Sequence, residues 1–422
     1  MADCKTIAFA RPYFGDEEAA AAAETVRSTW VVGGPRLAEF ERRFAELCGA
    51  EHAVGVSSWT TGGFLVLKAL GIGAGDEVIV PSLTFIASVN VIVHAGATPV
   101  FVDVDPRTYN VDPDDVARKI GPKTKVILPI DQVGLPCEID RIIALAEQRG
   151  ITVFEDAACA VGSRFRGRPV GSMATVTAFS LHARKVVTTG EGGMIVTNDA
   201  ALAQRLRRLR HQGMSLGDFE RHSAPPTAFE TYPEIGYNFR LTDIQAAIGL
   251  SQLDRLSDML ARRCRTAQRY VAALTNHPFL DPPFAPAHVT PNWQRFQVRV
   301  RPSGPLDRNA LMDALHAEGI PTRRGVMASH LEAPYQSIGA HLPVTEAVAA
   351  ECVQLPMHSG MSEAATEAVI AAINRIYDRA QFETVRRQLA LSFLPILSGS
   401  RRGLLRSCAR LPPSFASPSS SI

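Results

Sequence analysis

After residue 125 this 422-residue chain contains one lysine, Lys185, although 44 of its residues are Lys or Arg. It lies in Phe179-Ser180-Leu181-His182-Ala183-Arg184-Lys185, and the glycine-rich Thr188-Thr189-Gly190-Glu191-Gly192-Gly193 follows. An apolar run feeding such a turn holds its lysine in a constrained place. Beside Arg184 and partly desolvated, the amine would have a lowered pKa and could attack a carbonyl to form a Schiff base. Arginine cannot substitute in that chemistry. A solvated loop lysine is the competing reading of the segment taken alone.

Two other segments could serve the same chemistry. The run Ile151–Phe154 ends in Glu155-Asp156-Ala157-Ala158, and carboxylates at the C-terminal end of a parallel strand face the crevice where α/β proteins bind ligands. Pyridoxal phosphate needs an anion there, because a protonated ring nitrogen makes the ring an electron sink. An N-cap carboxylate is the plainer alternative. The second segment, Val56-Ser57-Ser58-Trp59-Thr60-Thr61-Gly62-Gly63, joins a strand to a helix. Hydroxyls and free N–H groups at a helix start can cradle a phosphate, although ordinary capping has the same residues. Gly71-Ile72-Gly73-Ala74-Gly75 ends a helix, so it is no dinucleotide fingerprint, and the chain has no Walker A, HExxH or GxSxG motif.

The elements that must hold these residues follow an α/β pattern. Strands are predicted at 52–56, 77–80, 98–102, 126–129, 151–154, 175–179 and 193–196, with helices at 35–48, 62–70, 84–95, 112–119 and 138–149. Near-continuous Val/Ile runs separated by helices imply a mainly parallel sheet covered on both faces. Thr242-Asp243-Ile244-Gln245 fits a capping box opening a helix to about Leu274. The Pro278–Pro286 stretch reads as a linker or domain boundary before a smaller α+β unit, with a strand at 294–300, a helix near 307–317 and a last helix opened by Ser362. The expected units are therefore 1–275, 276–383, and a basic, Ser/Pro-rich, disordered tail at 384–422. A disordered extension is one reading of that tail; weak binding to an anionic membrane or a partner is the other.

Composition narrows the classes further. A net charge of +2 and 20% charged residues exclude a dedicated nucleic-acid binder. No apolar run is long enough to span a bilayer. Seven scattered cysteines without CxxC spacing offer neither a structural zinc site nor a disulfide framework. Met-Ala-Asp-Cys-Lys has no signal-like apolar segment, which predicts a cytoplasmic protein. Six arginines follow the last acid, Glu383, so the excess positive charge belongs to the tail.

Taken together, the sequence resembles the DegT/DnrJ/EryC1/StrS sugar aminotransferases. The resemblance covers about residues 5–380. It is carried by Gly71–Phe85 (GIGAGDEVIVPSLTF), Pro99–Asp105 (PVFVDVD), Glu155–Ala160 (EDAACA), Phe179–Asp199, Gly236–Ala247 (GYNFRLTDIQAA), Pro321–Gly325 (PTRRG) and Leu355–Met361 (LPMHSGM). It implies the three-layer PLP-dependent transferase fold of the aspartate aminotransferase superfamily (fold type I), with a mainly parallel sheet in the large domain and a smaller α+β C-terminal domain. By resemblance, Lys185 is the cofactor-bearing lysine and proton shuttle, Asp156 pairs with the pyridinium nitrogen, and Phe85 stacks on the ring. Thr60, Thr61, Gly62 and Ser180 hold the phosphate, and Asn238 reaches it from a neighbouring subunit, implying a homodimer with shared sites. Cys159 and His182 line the cofactor pocket, while Arg323, Arg324 and His330 face the substrates.

The implied reaction moves an amino group from L-glutamate or L-glutamine to a keto sugar, nucleotide-linked, in amino-sugar, polysaccharide or natural-product biosynthesis. Three positions depart from the usual pattern and are expected to line the pocket: Trp59 where many members have Gly, Cys159 where they have Gln, and Asp131-Gln132-Val133-Gly134 for His-Leu-Tyr-Gly. The alternatives are a sugar dehydratase of the same fold, in which His takes the lysine position, and a non-catalytic binding or regulatory protein.

Overall fold

Pro35 opens helix α2 (Pro35–Cys48) after α1 (Asp16–Arg27), and Gly49 ends it in the left-handed region at φ 63°. Its buried face is Leu37, Phe40, Phe44 and Cys48. The Phe44 ring meets Phe40 at 5.9 Å and Phe179 at 5.2 Å, both edge-on. Each such buried ring contributes roughly 1.5–3 kcal/mol. These contacts fasten the helix to the sheet that carries the Lys185 segment. The structure, a computed structural model, describes residues 7–217, 221, 225 and 227–404.

The first half of the chain builds β1 (His52–Val56), α3 (Trp59–Ala69), β2 (Glu77–Pro81), α4 (Ala87–His94), β3 (Thr98–Val102), α5 (Pro113–Lys119), β4 (Thr124–Ile127), α6 (Ile139–Glu147) and β5 (Thr152–Asp156). Two short strands, β6 (Arg164–Phe165) and β7 (Arg168–Pro169), precede β8 (Val176–Ser180), β9 (Gly193–Thr197) and α7 (Ala200–Arg210). Seven strands form one sheet in the order β1-β9-β8-β5-β4-β2-β3. Only β9 runs against the others, pairing antiparallel with both β1 and β8. Val and Ile residues on both faces are buried, as a doubly covered sheet requires.

A second sheet, in the order β10-β12-β14-β13, is antiparallel throughout and joins Leu280–Asp281, Phe296–Val300, Cys352–Leu355 and Arg323–Arg324. Helices Arg308–Ala317 and Glu363–Leu404 pack on it. The remaining short strand, β11 (Val289–Thr290), pairs with β6. Among the described residues no helix is long and apolar enough to cross a membrane.

Several expectations change. The helix expected from Asp243 to Leu274 breaks at Arg255 (φ −102°, ψ 0°), giving Asp243–Asp254 and Leu256–Leu274. Arg255 there binds Glu18 of α1 with contacts of 2.9 and 3.0 Å. The boundary at 275/276 is not sharp, because Ala267, Tyr270 and Leu274 lie in the core of the smaller unit. Ile7 packs against that core too, and the Phe9 carbonyl accepts Met357 N–H. The Pro-rich stretch is no free linker, since Leu280–Asp281 pairs with β12. The disorder expected from 384 does not start there: the final helix continues to Leu404, and no Pro or Gly interrupts it from Glu363 to Leu394. Residues 405–422 lie outside the described residues.

Candidate active site

Strand β5 delivers Asp156 to the C-terminal edge of the large sheet, where the carboxylate is 3% exposed. Its Oδ2 accepts the Ser88 hydroxyl at 2.7 Å and its Oδ1 accepts the Ala158 N–H at 3.0 Å. Burial pushes its pKa up to about 6, against the opposing pull of these two bonds and of the Lys185 charge. A cation brought to this carboxylate would restore its ionised form. Phe85, whose carbonyl accepts the Ser88 N–H, is 71% exposed.

Lys185 sits on the loop between β8 and β9. The loop is closed at its neck by Leu181 N–H to Gly192 O (2.9 Å) and Thr189 N–H to Leu181 O (3.0 Å). Gly192, at φ 153°, and Gly190, at φ 85°, let the chain turn back into β9. From the smaller unit, Gln294 pins the loop: its Oε1 accepts Val186 N–H at 2.9 Å and its Nε2 donates to Arg184 O at 2.7 Å. The half-buried Lys185 amine lies 3.0 Å from the Cys159 thiol, whose residue follows Asp156 by three. Asn292 fixes Cys159 through its carbonyl at 2.7 Å. Sequence reading missed Ser88, Asn292 and Gln294, as no motif marks a polar side chain that acts by pinning a backbone.

The start of α3 shifts the expected cradle. Ser58 Oγ accepts Thr61 N–H (3.1 Å), Ser58 O accepts Gly62 N–H (3.0 Å), and the Thr61 hydroxyl closes the capping box. The donors of Thr61 and Gly62 are therefore spent inside the helix. Thr60 keeps its N–H and hydroxyl without an intramolecular partner among the described residues, at the positive end of an eleven-residue helix. Ser180, 7% exposed at the end of β8, is next to the lysine loop.

Trp59 does not line the pocket. Its indole is 6% exposed, stacks on Phe154 at 6.4 Å and donates to Ala178 O at 3.2 Å. Asp131 is also buried, accepting Cys137 N–H at 2.9 Å. Gln132 is held by Asn110 and by the Leu83 carbonyl. Of the three departures, Trp59 and the Asp131-Gln132 pair thus lie in packing, and Cys159 is the one at the lysine. His330 is sequestered as well, at 3% exposure, with Nδ1 2.6 Å from Ser82 Oγ and Nε2 3.4 Å from Glu346. That engagement removes it from a substrate role. Arg323 and Arg324 are exposed on β13, and Arg324 lies 3.8 Å from Glu332. His182 is half-exposed, its Nδ1 accepting Arg184 N–H at 3.2 Å, and burial with the Lys185, Arg184 and Arg295 charges holds its pKa below the usual value. Asn238 is exposed and bridges to His211 through the backbone.

Residues 12–374 match the model of the DegT/DnrJ/EryC1/StrS aminotransferase family. The chain belongs to this family. The aminotransferase is 39% identical over 381 residues to GDP-perosamine synthase of Caulobacter vibrioides, covering 89% of this chain and all of that protein. The structure of the aminotransferase TlmJ from Streptoalloteichus hindustanus superposes with a TM-score of 0.82 at 35% identity, covering 89% of this chain and 100% of TlmJ. Spr1654 of Streptococcus pneumoniae in its PLP form superposes at 0.83 with 29% identity, covering 89% of this chain and 99% of Spr1654.

Pyridoxal phosphate is the cofactor of this aminotransferase, and the residues present fit it. A sealed carboxylate is available for a ring nitrogen, the exposed Phe85 offers an uncovered aromatic side chain, and a helix start with free donors is available for a phosphate. The expected three-layer fold with its smaller α+β unit is the observed one.

Proposed function

We propose that the protein transfers an amino group from L-glutamate or L-glutamine to a keto sugar, nucleotide-linked, for amino-sugar, polysaccharide or natural-product biosynthesis. The observation that carries the reading is the convergence of Lys185 and Asp156 on one strand edge: the amine sits at the Cys159 thiol, and its charge acts on the Asp156 carboxylate. Pyridoxal phosphate, when bound, supplies an aldehyde and an electron-withdrawing ring. Lys185 anchors it and moves the proton at the carbon bearing the amine. Asp156, oriented by Ser88, keeps the ring nitrogen protonated. Phe85 covers the ring, while Thr60 and Ser180 bind the phosphate. His182 and Cys159 complete the wall, and Arg323 and Arg324 meet acceptor phosphates.

Asn238 belongs to a cytoplasmic homodimer in this reading and serves the partner's phosphate site. Support comes from the segment before it, where Phe229, Tyr232 and Ile235 are 82, 57 and 90% exposed. Such apolar exposure is characteristic of a surface that pairs. Dehydration is disfavoured because it would place His at the Lys185 position.

The test is a panel of keto-sugar nucleotides with glutamate, read by 2-oxoglutarate formation and accompanied by light scattering for the dimer. Acceptor-dependent 2-oxoglutarate is expected. Its absence across the panel, with glutamine also inert, would refute the reading.

A further inference from the structure

Strand β12 holds Arg299 and is flanked by Arg295 and Arg301, and two of the three have carboxylate partners. Arg299 pairs with Glu351 at 2.5 Å and Arg301 with Asp281 at 2.6 Å. Arg295, at the head of the strand, has none among the described residues, and its Nη1 is sealed from solvent without a hydrogen bond. A buried guanidinium nitrogen left this way is strongly unfavourable unless an anion arrives to meet it.

The surroundings raise that demand. Arg295 lies over the Phe9 ring at 4.9 Å, and Arg323 faces the same ring at 5.3 Å. Phe9 is held by its carbonyl, which accepts Met357 N–H. Burial lowers the pKa of Arg295, and the charges of Arg184 and Arg323 add to that shift. Arg263, behind it, spends its donors on Ser359 and on the carbonyls of Trp293 and Gln294. Glu191, on the lysine loop, is 3.7 Å from His182.

This concentration of positive charge stands at the reacting lysine. Arg295 follows Gln294, which pins both Arg184 and Val186. It interacts electrostatically with Cys159, whose thiol is 3.0 Å from the Lys185 amine.

We propose that Arg295, backed by Arg323 across Phe9, binds a carboxylate of the amino-acid donor while the donor's amine is at Lys185. The inference rests on the reading of Lys185 as the reacting lysine. A guanidinium fork suits a carboxylate, binding it through two parallel bonds. The acceptor's diphosphate is the other anion the reaction offers, and the experiment separates the two.

The experiment uses holoenzyme, with Arg295→Met and Arg295→Lys variants checked for unchanged cofactor loading and melting temperature. Calorimetry measures binding of glutarate, an unreactive dicarboxylate, and separately of GDP. The expected result is glutarate binding weakened at least about tenfold in Arg295→Met, less in Arg295→Lys, with GDP affinity unchanged in both. If glutarate binds equally to wild type and Arg295→Met, the proposal is wrong. Loss of GDP binding with glutarate retained gives Arg295 to the acceptor and overturns it too. Should Arg295→Met not load cofactor, the Arg295→Lys and Arg323→Met affinities decide: unaltered glutarate binding in both overturns it. Arg295-dependent glutarate binding in a protein that fails the 2-oxoglutarate assay would instead refute the proposed function and leave this site standing.

Discussion

The Ser88 hydroxyl donates to Oδ2 of Asp156 at 2.7 Å, tying α4 to the end of β5 across 68 residues of sequence. The bond favours the ionised carboxylate against the burial that raises its pKa. Ser88→Ala should therefore leave more of Asp156 protonated at neutral pH and reduce the transamination rate about tenfold. Asp156→Asn, which cannot pair with a cationic ring nitrogen, should lose at least about a hundredfold. Steady-state rates from pH 6 to 9 check this; a Ser88→Ala profile that overlays wild type would contradict the role given to the bond.

Trp59 should matter for stability and little for substrates. Truncating a large buried aromatic costs about 3–5 kcal/mol, so Trp59→Ala should lower the denaturant midpoint sharply. KM values should stay within about twofold of wild type where the variant is folded. A changed KM without loss of stability would place the indole in the pocket after all.

Asp131 and Glu155 form a buried acidic neighbourhood with Cys137 and Asp156. Burial, then the Glu155 charge, pushes Asp131 well above the ordinary carboxylate range, and burial chiefly takes Glu155 to about 7. Folded pKa values above the unfolded ones mean that stability is greatest at low pH. It is lost as pH rises from the unfolded carboxylate range through the folded pKa values. Asp131→Asn should stabilise the protein at pH 8 by at least about 1 kcal/mol, the equivalent of a single pKa unit. The gain should vanish near pH 4. Urea melts at the two pH values check both the size and the sign.

Truncation after Glu383 should leave turnover within about twofold of wild type. Phe382, Val385 and Leu389 on the extended final helix are 71, 53 and 54% exposed, and the family match ends at residue 374. Initial rates of the two chains decide it, and a large loss would show that the extension supports the active site.

What the sequence made legible follows from where the physics is local. Strands β1 and β3 were readable to the residue because short valine-bearing apolar runs between turn signals have few other uses. Lys185 stood out because arginine had replaced lysine nearly everywhere else. Helix α1 was missed: its Ala-rich face has no large apolar residues to betray a period, although its propensity is high. Trp59 and His330 were misplaced because a family position says which segment lines a pocket, not which way each side chain turns. Trp59 turns inward since Gly63 leaves room under the indole; a Cβ there would sit 3.2 Å from the ring. Arg295 had no local signature at all. It became visible only when the partners of Arg299 and Arg301 showed what it lacks.

Everything proposed for the site depends on Lys185 carrying the cofactor and the proton. Borohydride reduction of the holoenzyme followed by peptide mass mapping tests it most directly. The expected result is a visible-absorbing protein, a phosphopyridoxyl group fixed on Lys185, and no fixed label and no transamination in Lys185→Ala. A label on another lysine, or turnover retained by Lys185→Ala, would contradict it.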